Sequence, residues 1–197
     1  MEGGEMAFDR ESKLIHEIAN NKSDQDIFKE LYQLYESRLA VFFNNRTKKQ
    51  EASEDLIQET MIIVWEKAHR FNGRSKPSTW IFGIAYRKSL EWYRKQERER
   101  RLNHKLTRTS KSKDKDKDGV EQKLIQEGIQ EAIQRALAQL PDKYQLVVEL
   151  FFYHDFSYRE IAHIVGYSER TVKQWMHDAK EILREKWFEM RFRGDRE

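Results

Sequence analysis

Apolar positions recur along most of this chain at intervals of three and four, the spacing that gathers side chains on one face of an α-helix. Leu14, Ile15 and Ile18 make a first short stripe. A longer one holds Ile27, Phe28, Leu31, Leu34, Tyr35, Leu39, Phe42 and Phe43, and predicts a helix from a cap at Ser23 or Asp24 to about Asn45. After the polar RTKKQ, Ser53 is expected to cap a third helix whose buried face is Leu56, Ile57, Thr60, Met61, Val64, Trp65 and Ala68. Its other side carries Glu54, Asp55, Gln58, Glu59, Ile62 and Glu66. The loop Phe71–Ser75 leads to Pro77, placed in the first turn of a helix through about Arg101 with Trp80, Ile81, Ile84, Ala85 and Leu90 inward.

The pattern lapses at 104–120, HKLTRTSKSKDKDKDGV, which has almost nothing to bury and reads as a flexible charged linker. It resumes with Leu124, Ile125, Ile129, Ile133, Leu137 and Leu140, then a helix headed by Asp142 with Tyr144, Leu146, Val147, Leu150, Phe151 and Phe152. Ser157 and Glu160 stand in capping-box register before Ile161, Ala162, Ile164 and Val165. Gly166 supplies a left-handed stop and Ser168 a new cap. Val172, Met176, Ala179 and Leu183 give the last helix a buried face, while Arg170, Lys173, Gln174, His177 and Lys180 face outward. No stretch alternates as a strand would, so the fold class is all-α. The division expected is an N-terminal extension at 1–22, one small helical domain at 23–103, the linker at 104–120, and a second helical domain at 121–193.

Two helices about a tight glycine turn, the first short and the second with a basic outer face, describe a helix-turn-helix that enters the major groove by the first residues of its second helix. A plain helical hairpin shares the cap and the glycine; the cationic outer face favours DNA. The acidic side of the third helix, centred on Ile62, can dock a basic partner helix, although composition alone favours a solvated face. Arg87, Lys88, Arg94 and Lys95 interleave with Tyr86 and Tyr93, a mixture of phosphate attraction and stacking surface suited to unpaired DNA. Tyr86 and Trp92 fit either core or surface.

Charge sharpens this picture. The net charge of +3 is unevenly spread: residues 1–60 hold eight basic and thirteen acidic side chains, residues 87–118 thirteen basic and six acidic. Two partners of opposite charge are implied. Cysteine is absent, the six histidines stand in no metal-ligand spacing, and neither a phosphate loop nor a nucleophile elbow is present. No enzyme, metal or cofactor is therefore expected. No apolar run approaches the roughly 18 residues of a membrane span, and the acidic N-terminus is unlike a signal peptide. A cytoplasmic protein without membrane insertion is expected.

Four stretches in order, SEDLIQET (53–60) with Trp65, FNGRSKPSTWIFGIA (71–85), LPDKY (140–144) and FSYREIAHIVGYSERTVK (156–173), resemble a bacterial sigma factor of the extracytoplasmic function (ECF) branch of the sigma-70 family. The resemblance covers about Asp26 to Lys186. It implies an alternative sigma factor that binds core RNA polymerase and directs initiation at promoters with −10 and −35 elements. On that basis Glu54, Asp55, Gln58 and Glu59 would dock on the polymerase β′ coiled coil, and the second domain would rest on the β flap. Phe71, Asn72, Gly73, Arg74 and Ser75, with Trp80, Arg87, Lys88, Arg94 and Lys95, would meet the −10 element. Ser168, Arg170, Thr171, Lys173, Gln174 and His177 would meet the −35 element. An anti-sigma factor covering both DNA-reading surfaces is a further partner the resemblance suggests. The alternative is a helix-turn-helix transcriptional regulator acting without polymerase core; it leaves the acidic helix and the 71–80 stretch unexplained.

Overall fold

The computed structural model describes residues 2–21, 24–106 and 136–193, with side chains described outside 2–9, 103–106 and 187–193. Four helices form the first half: α1 (Glu2–Asn20), α2 (Gln25–Thr47), α3 (Gln50–Lys67) and α4 (Pro77–Leu106), with a 3₁₀ turn at Ala68–Arg70. Three form the second: α5 (Asp142–Phe152), α6 (Tyr158–Val165) and α7 (Glu169–Arg193). The expected helix through Ile125 and Ile133 and the linker at 104–120 lie outside the described residues, apart from the ends of both.

Local chemistry explains most element ends. Asp24 caps α2, its Oδ1 accepting the backbone N–H groups of Asp26 and Ile27 at 3.1 and 3.4 Å. One boundary differs from expectation. Lys48 takes a left-handed conformation (φ 54°), while Thr47 Oγ1 donates to the carbonyl of Lys49 and accepts its N–H. This tight turn lets α3 begin at Gln50, so Ser53 lies one turn inside the helix. Its hydroxyl is buried without a hydrogen-bond partner rather than capping anything.

The first bundle buries the expected faces: Leu31, Tyr35, Leu39, Phe42 and Phe43 of α2, and Leu56, Ile57, Thr60, Met61 and Val64 of α3. Leu34 departs from its stripe and is 46% exposed. Leu14, Ile15 and Ile18 of α1, read from sequence as part of an extension, join the same core. Glu11 fastens α1 to α2 by accepting the Tyr35 hydroxyl at 2.6 Å. Burial, followed by the charge and hydrogen bond of Glu11, holds the Tyr35 phenol well above its ordinary pKa.

In the second half the capping box is complete. Glu160 N–H reaches Ser157 Oγ at 3.3 Å, and the Ser157 N–H reaches Glu160 Oε2 at 2.8 Å. Caps of this kind contribute about 1 kcal/mol. Gly166 turns at φ 77°, where a side chain would be strained. Ser168 Oγ accepts the Thr171 N–H at 3.1 Å and opens α7. Ile161, Ala162, Ile164 and Val165 of α6 and Val172, Met176 and Ala179 of α7 are buried.

The two halves are not separate bodies here; one apolar core runs through both. Phe82 of α4 is fully buried and meets the rings of Phe42 of α2, His154 and Phe156, at 5.5, 4.8 and 5.0 Å. His154 and Phe156 lie between α5 and α6, so the second half reaches into the first.

Candidate nucleic-acid interface

Three surfaces carry the candidate residues. The first is the start of α7. Behind the Ser168 cap, Arg170, Lys173, Gln174 and His177 are all exposed, on the side opposite Val172 and Met176. Thr171 is half-buried and its hydroxyl meets Ser168 Oγ at 2.7 Å, so these two residues build the helix end. Lys173 pairs with Glu169 at 2.7 Å, and Gln174 donates to Asp178 at 2.8 Å. Both contacts are on the surface and are released at little cost. Arg170 makes no hydrogen bond or ion pair with the described residues. Trp175 is half-buried, its ring edge-on to Tyr167 at 4.7 Å.

The second surface is the loop before α4 with the flank of that helix. Asn72, Gly73 and Arg74 are exposed. Asn72 Oδ1 accepts the Arg74 N–H at 3.1 Å, and Gly73 turns at φ 71°. Phe71 is only 6% exposed; its ring lies between His16 and Trp80, at 5.7 and 5.5 Å. Phe71 therefore forms the loop's floor, with Trp80 half-buried beside it. Arg87, Arg94 and Lys95 are exposed along α4. Lys88 is spoken for, pairing with Glu59 at 2.7 Å and Glu91 at 2.9 Å. Burial opposes its charge, but hydrogen bonds and charges from these two carboxylates prevail and raise its pKa. Tyr86 and Tyr93 are drawn towards Arg46, whose guanidinium sits 5.8 and 5.7 Å from their rings. Tyr93 also donates to the Arg46 carbonyl at 2.6 Å. Both are more structural than a stacking platform requires.

Sequence reasoning missed two members of this surface. A recess of about 390 Å³ between α3 and α4 is lined by Trp80, Arg87 and Lys88 together with Lys67 and Arg70. The latter two sit where α3 passes into the 3₁₀ turn. Their cationic ends in a helix-terminal run were the available signal.

The third surface is α3. Glu54, Asp55, Gln58 and Glu59 are all exposed, with Ile62 55% exposed just below them. No group of three or more His, Cys, Asp or Glu residues among those described could hold a metal ion. No described helix is long and apolar enough to cross a membrane.

Comparison with known proteins decides among the possible owners of such surfaces. Residues 31–99 match the family model for sigma-70 region 2, and residues 130–183 that for sigma-70 region 4. The chain is 32% identical over 162 residues to the ECF RNA polymerase sigma factor SigX of Bacillus subtilis (strain 168), covering 81% of this chain and 83% of SigX. This chain belongs to the ECF branch of the sigma-70 family. It is 28% identical over 163 residues to the ECF sigma factor RpoE of Cereibacter sphaeroides, covering 82% and 87% of the two chains. Among solved structures it is similar to the sigma factor RpoE of Bartonella quintana, crystallised in complex with the anti-sigma factor NepR. That match has 25% identity and a TM-score of 0.60, and covers 80% of this chain and 94% of the other.

As a sigma factor, this chain is an alternative, promoter-directing subunit of RNA polymerase in transcription initiation. Its family work is DNA recognition and not catalysis. The two matched regions are the two halves in which the exposed loop and the exposed α7 face occur.

Proposed function

We propose that this sigma factor divides its work among the three surfaces. Glu54, Asp55, Gln58 and Glu59, around Ile62, dock on the β′ coiled coil of core polymerase. The loop at Asn72, Gly73, Arg74 and Ser75, floored by Phe71 and Trp80, receives an unpaired base of the −10 element. Arg87, Arg94 and Lys95, joined by Lys67 and Arg70, attract the backbone of the opening strand, while Lys88, paired with Glu59 and Glu91, braces α4 against α3. The start of α7 reads the −35 element in duplex DNA through Arg170, Lys173, Gln174 and His177, seated by Ser168 and Thr171, while the second half rests on the β flap. Domains at 23–103 and 121–193, joined through 104–120, suit this division. It is a cytoplasmic activity, as its partners are polymerase and promoter DNA. An anti-sigma factor, such as the Bartonella quintana protein binds, is a fitting further partner.

The observation that carries this reading is the exposed row Arg170, Lys173, Gln174 and His177 at the cap of α7, on a chain that also exposes an acidic docking face. Phosphate contacts set register and base contacts set sequence preference. Capturing a flipped base offsets the few kcal/mol that unpairing costs.

The test needs no promoter known beforehand. Core polymerase, the chain and fragmented genomic DNA of the source organism are mixed, and melted positions are mapped by permanganate reactivity. Arg74→Ala is expected to lower reactivity at the −10 position by about tenfold, the size of one good base contact. Undiminished melting would remove Arg74 from the −10 site.

A further inference from the structure

Helix α1 lies before the residues matched to sigma-70 region 2, yet it reaches the loop assigned to the −10 element. The helix is anchored to the bundle. Leu14, Ile15 and Ile18 are fully buried in the core. Arg10 clasps Glu30 of α2 through two contacts of 2.9 and 2.6 Å, and Glu11 accepts the Tyr35 hydroxyl at 2.6 Å. His16 stands further along the same helix. It is exposed, but its ring meets Phe71 edge-on, with centroids 5.7 Å apart and planes at 66°. The orientation of that ring is fixed from within α1, where His16 Nδ1 lies 2.7 Å from the carbonyl oxygen of Ser12. A carbonyl oxygen only accepts, so Nδ1 carries the hydrogen and donates it.

The loop depends on Phe71 for its seat. Among residues 71–76 only Phe71 is buried; Asn72, Gly73, Arg74 and Lys76 are exposed and Ser75 is half-buried. The hydrogen bonds of the loop are short-range: Asn72 Oδ1 accepts the Arg74 N–H, and the Phe71 N–H donates to the Ala68 carbonyl at 3.0 Å. These shape the loop without tying it to the core. Lys76 pairs with Glu160 at 2.8 Å, but its side chain is 59% exposed, and a pair with so open a lysine holds weakly. The Phe71 ring meets Trp80 at 5.5 Å, from the first turn of α4, and His16 from a separate helix. Residues that receive a ligand keep their geometry only when the groups behind them are themselves held.

We propose that His16 is a positioning residue for the −10 loop: its ring holds Phe71, so that α1 keeps residues 72–75 in the shape that receives an unpaired base. The inference rests on the assignment of that loop to the −10 element. It gives the N-terminal helix a part in promoter melting without contact to DNA. Loss of the ring frees an edge of Phe71 and loosens the loop. A loosened loop must be ordered by the incoming base, and that ordering is subtracted from the free energy of capture.

The test uses the full-length chain with core polymerase and fragmented genomic DNA. His16→Ala places a strong helix former at an exposed helical position, so the fold is expected to stand. Permanganate reactivity at −10 positions is expected to fall about fivefold, the size of one aromatic pair. His16→Phe keeps a ring at the contact and is expected to restore most of the loss. Full reactivity in His16→Ala, beside a loss in Arg74→Ala, would overturn the brace and leave the loop assignment standing. A His16→Phe variant as poor as His16→Ala would also overturn it, because the ring contact would then not be the cause. Amide hydrogen exchange on the free chain gives a readout independent of DNA. His16→Ala is expected to speed exchange at Phe71 and Arg74 severalfold and to leave the amides of α3 unchanged. Unchanged exchange at both loop amides would overturn the brace. Faster loop exchange, with His16→Ala and Arg74→Ala both melting DNA normally, would instead count against the −10 assignment and leave the brace upheld.

Discussion

Changing Glu54 and Asp55 together to lysine is expected to weaken binding of core RNA polymerase by about 100-fold, some 2.7 kcal/mol. Both carboxylates are exposed on α3, and among the described residues Glu54 accepts a hydrogen bond from the Gln50 side chain at 2.9 Å. Two reversals replace attraction to a basic partner with repulsion, and much of the loss should appear in the association rate and its salt dependence. The fold should survive, because surface changes away from caps and buried networks stay within about 0.5 kcal/mol. Lysines in the early turns oppose the helix dipole, at a cost of roughly 0.3–1 kcal/mol each at most. Glu59 is left in place on purpose, since its ion pair with Lys88 would tie a docking result to the −10 flank. Fluorescence titration against core polymerase, with a helical circular-dichroism spectrum as control, checks the outcome. Unchanged affinity would remove α3 from the docking surface.

Replacing Arg170 and Lys173 together by alanine is expected to cost about 100-fold in affinity for the −35 element, from roughly 1–3 kcal/mol for a well-placed base contact together with the loss of a phosphate contact. Core binding should be unaffected, since these residues lie on α7 and not on α3. The two single variants separate their roles. Arg170 is free of intramolecular pairing among the described residues and stands at the second position of the helix, where a groove reader meets bases. Arg170→Ala should relax sequence preference at one position. Lys173 shares its charge with Glu169, so Lys173→Ala should weaken all sequences alike and lower the salt slope by about 1. Competition footprints at two salt concentrations read both effects.

What could be read from the residues was governed by distance along the chain. The Ser157–Glu160 box, the Gly166 stop and the Ser168 cap are contacts within three or four residues, and all stand where the sequence placed them. The apolar stripes of α2 and α3 were legible for the same reason. Ser53 misled because a serine before acids resembles a cap, and nothing in RTKKQ announced that Lys48 would turn left-handed and start the helix early. Phe71 looked like part of a base-catching loop, but the ring that covers it comes from His16 of α1, over fifty residues away. Lys88 looked like a free phosphate contact until α3 brought Glu59 to it. The seam between the two halves was least visible of all. Phe82 fell outside the inward set expected for α4, and His154 carried no local sign that it would cross to the other half. Each of these depends on tertiary packing that periodicity does not encode.

The central claim is that this chain gives core polymerase its choice of promoter. Mapping the 5′ ends of transcripts made from fragmented genomic DNA, by core polymerase with and without the chain, tests it most directly. A discrete set of start sites sharing a −10 and a −35 motif, seen only when both components are present, is the result predicted. The same scattered transcripts with and without the chain, alongside binding of the chain to duplex DNA by itself, would contradict it.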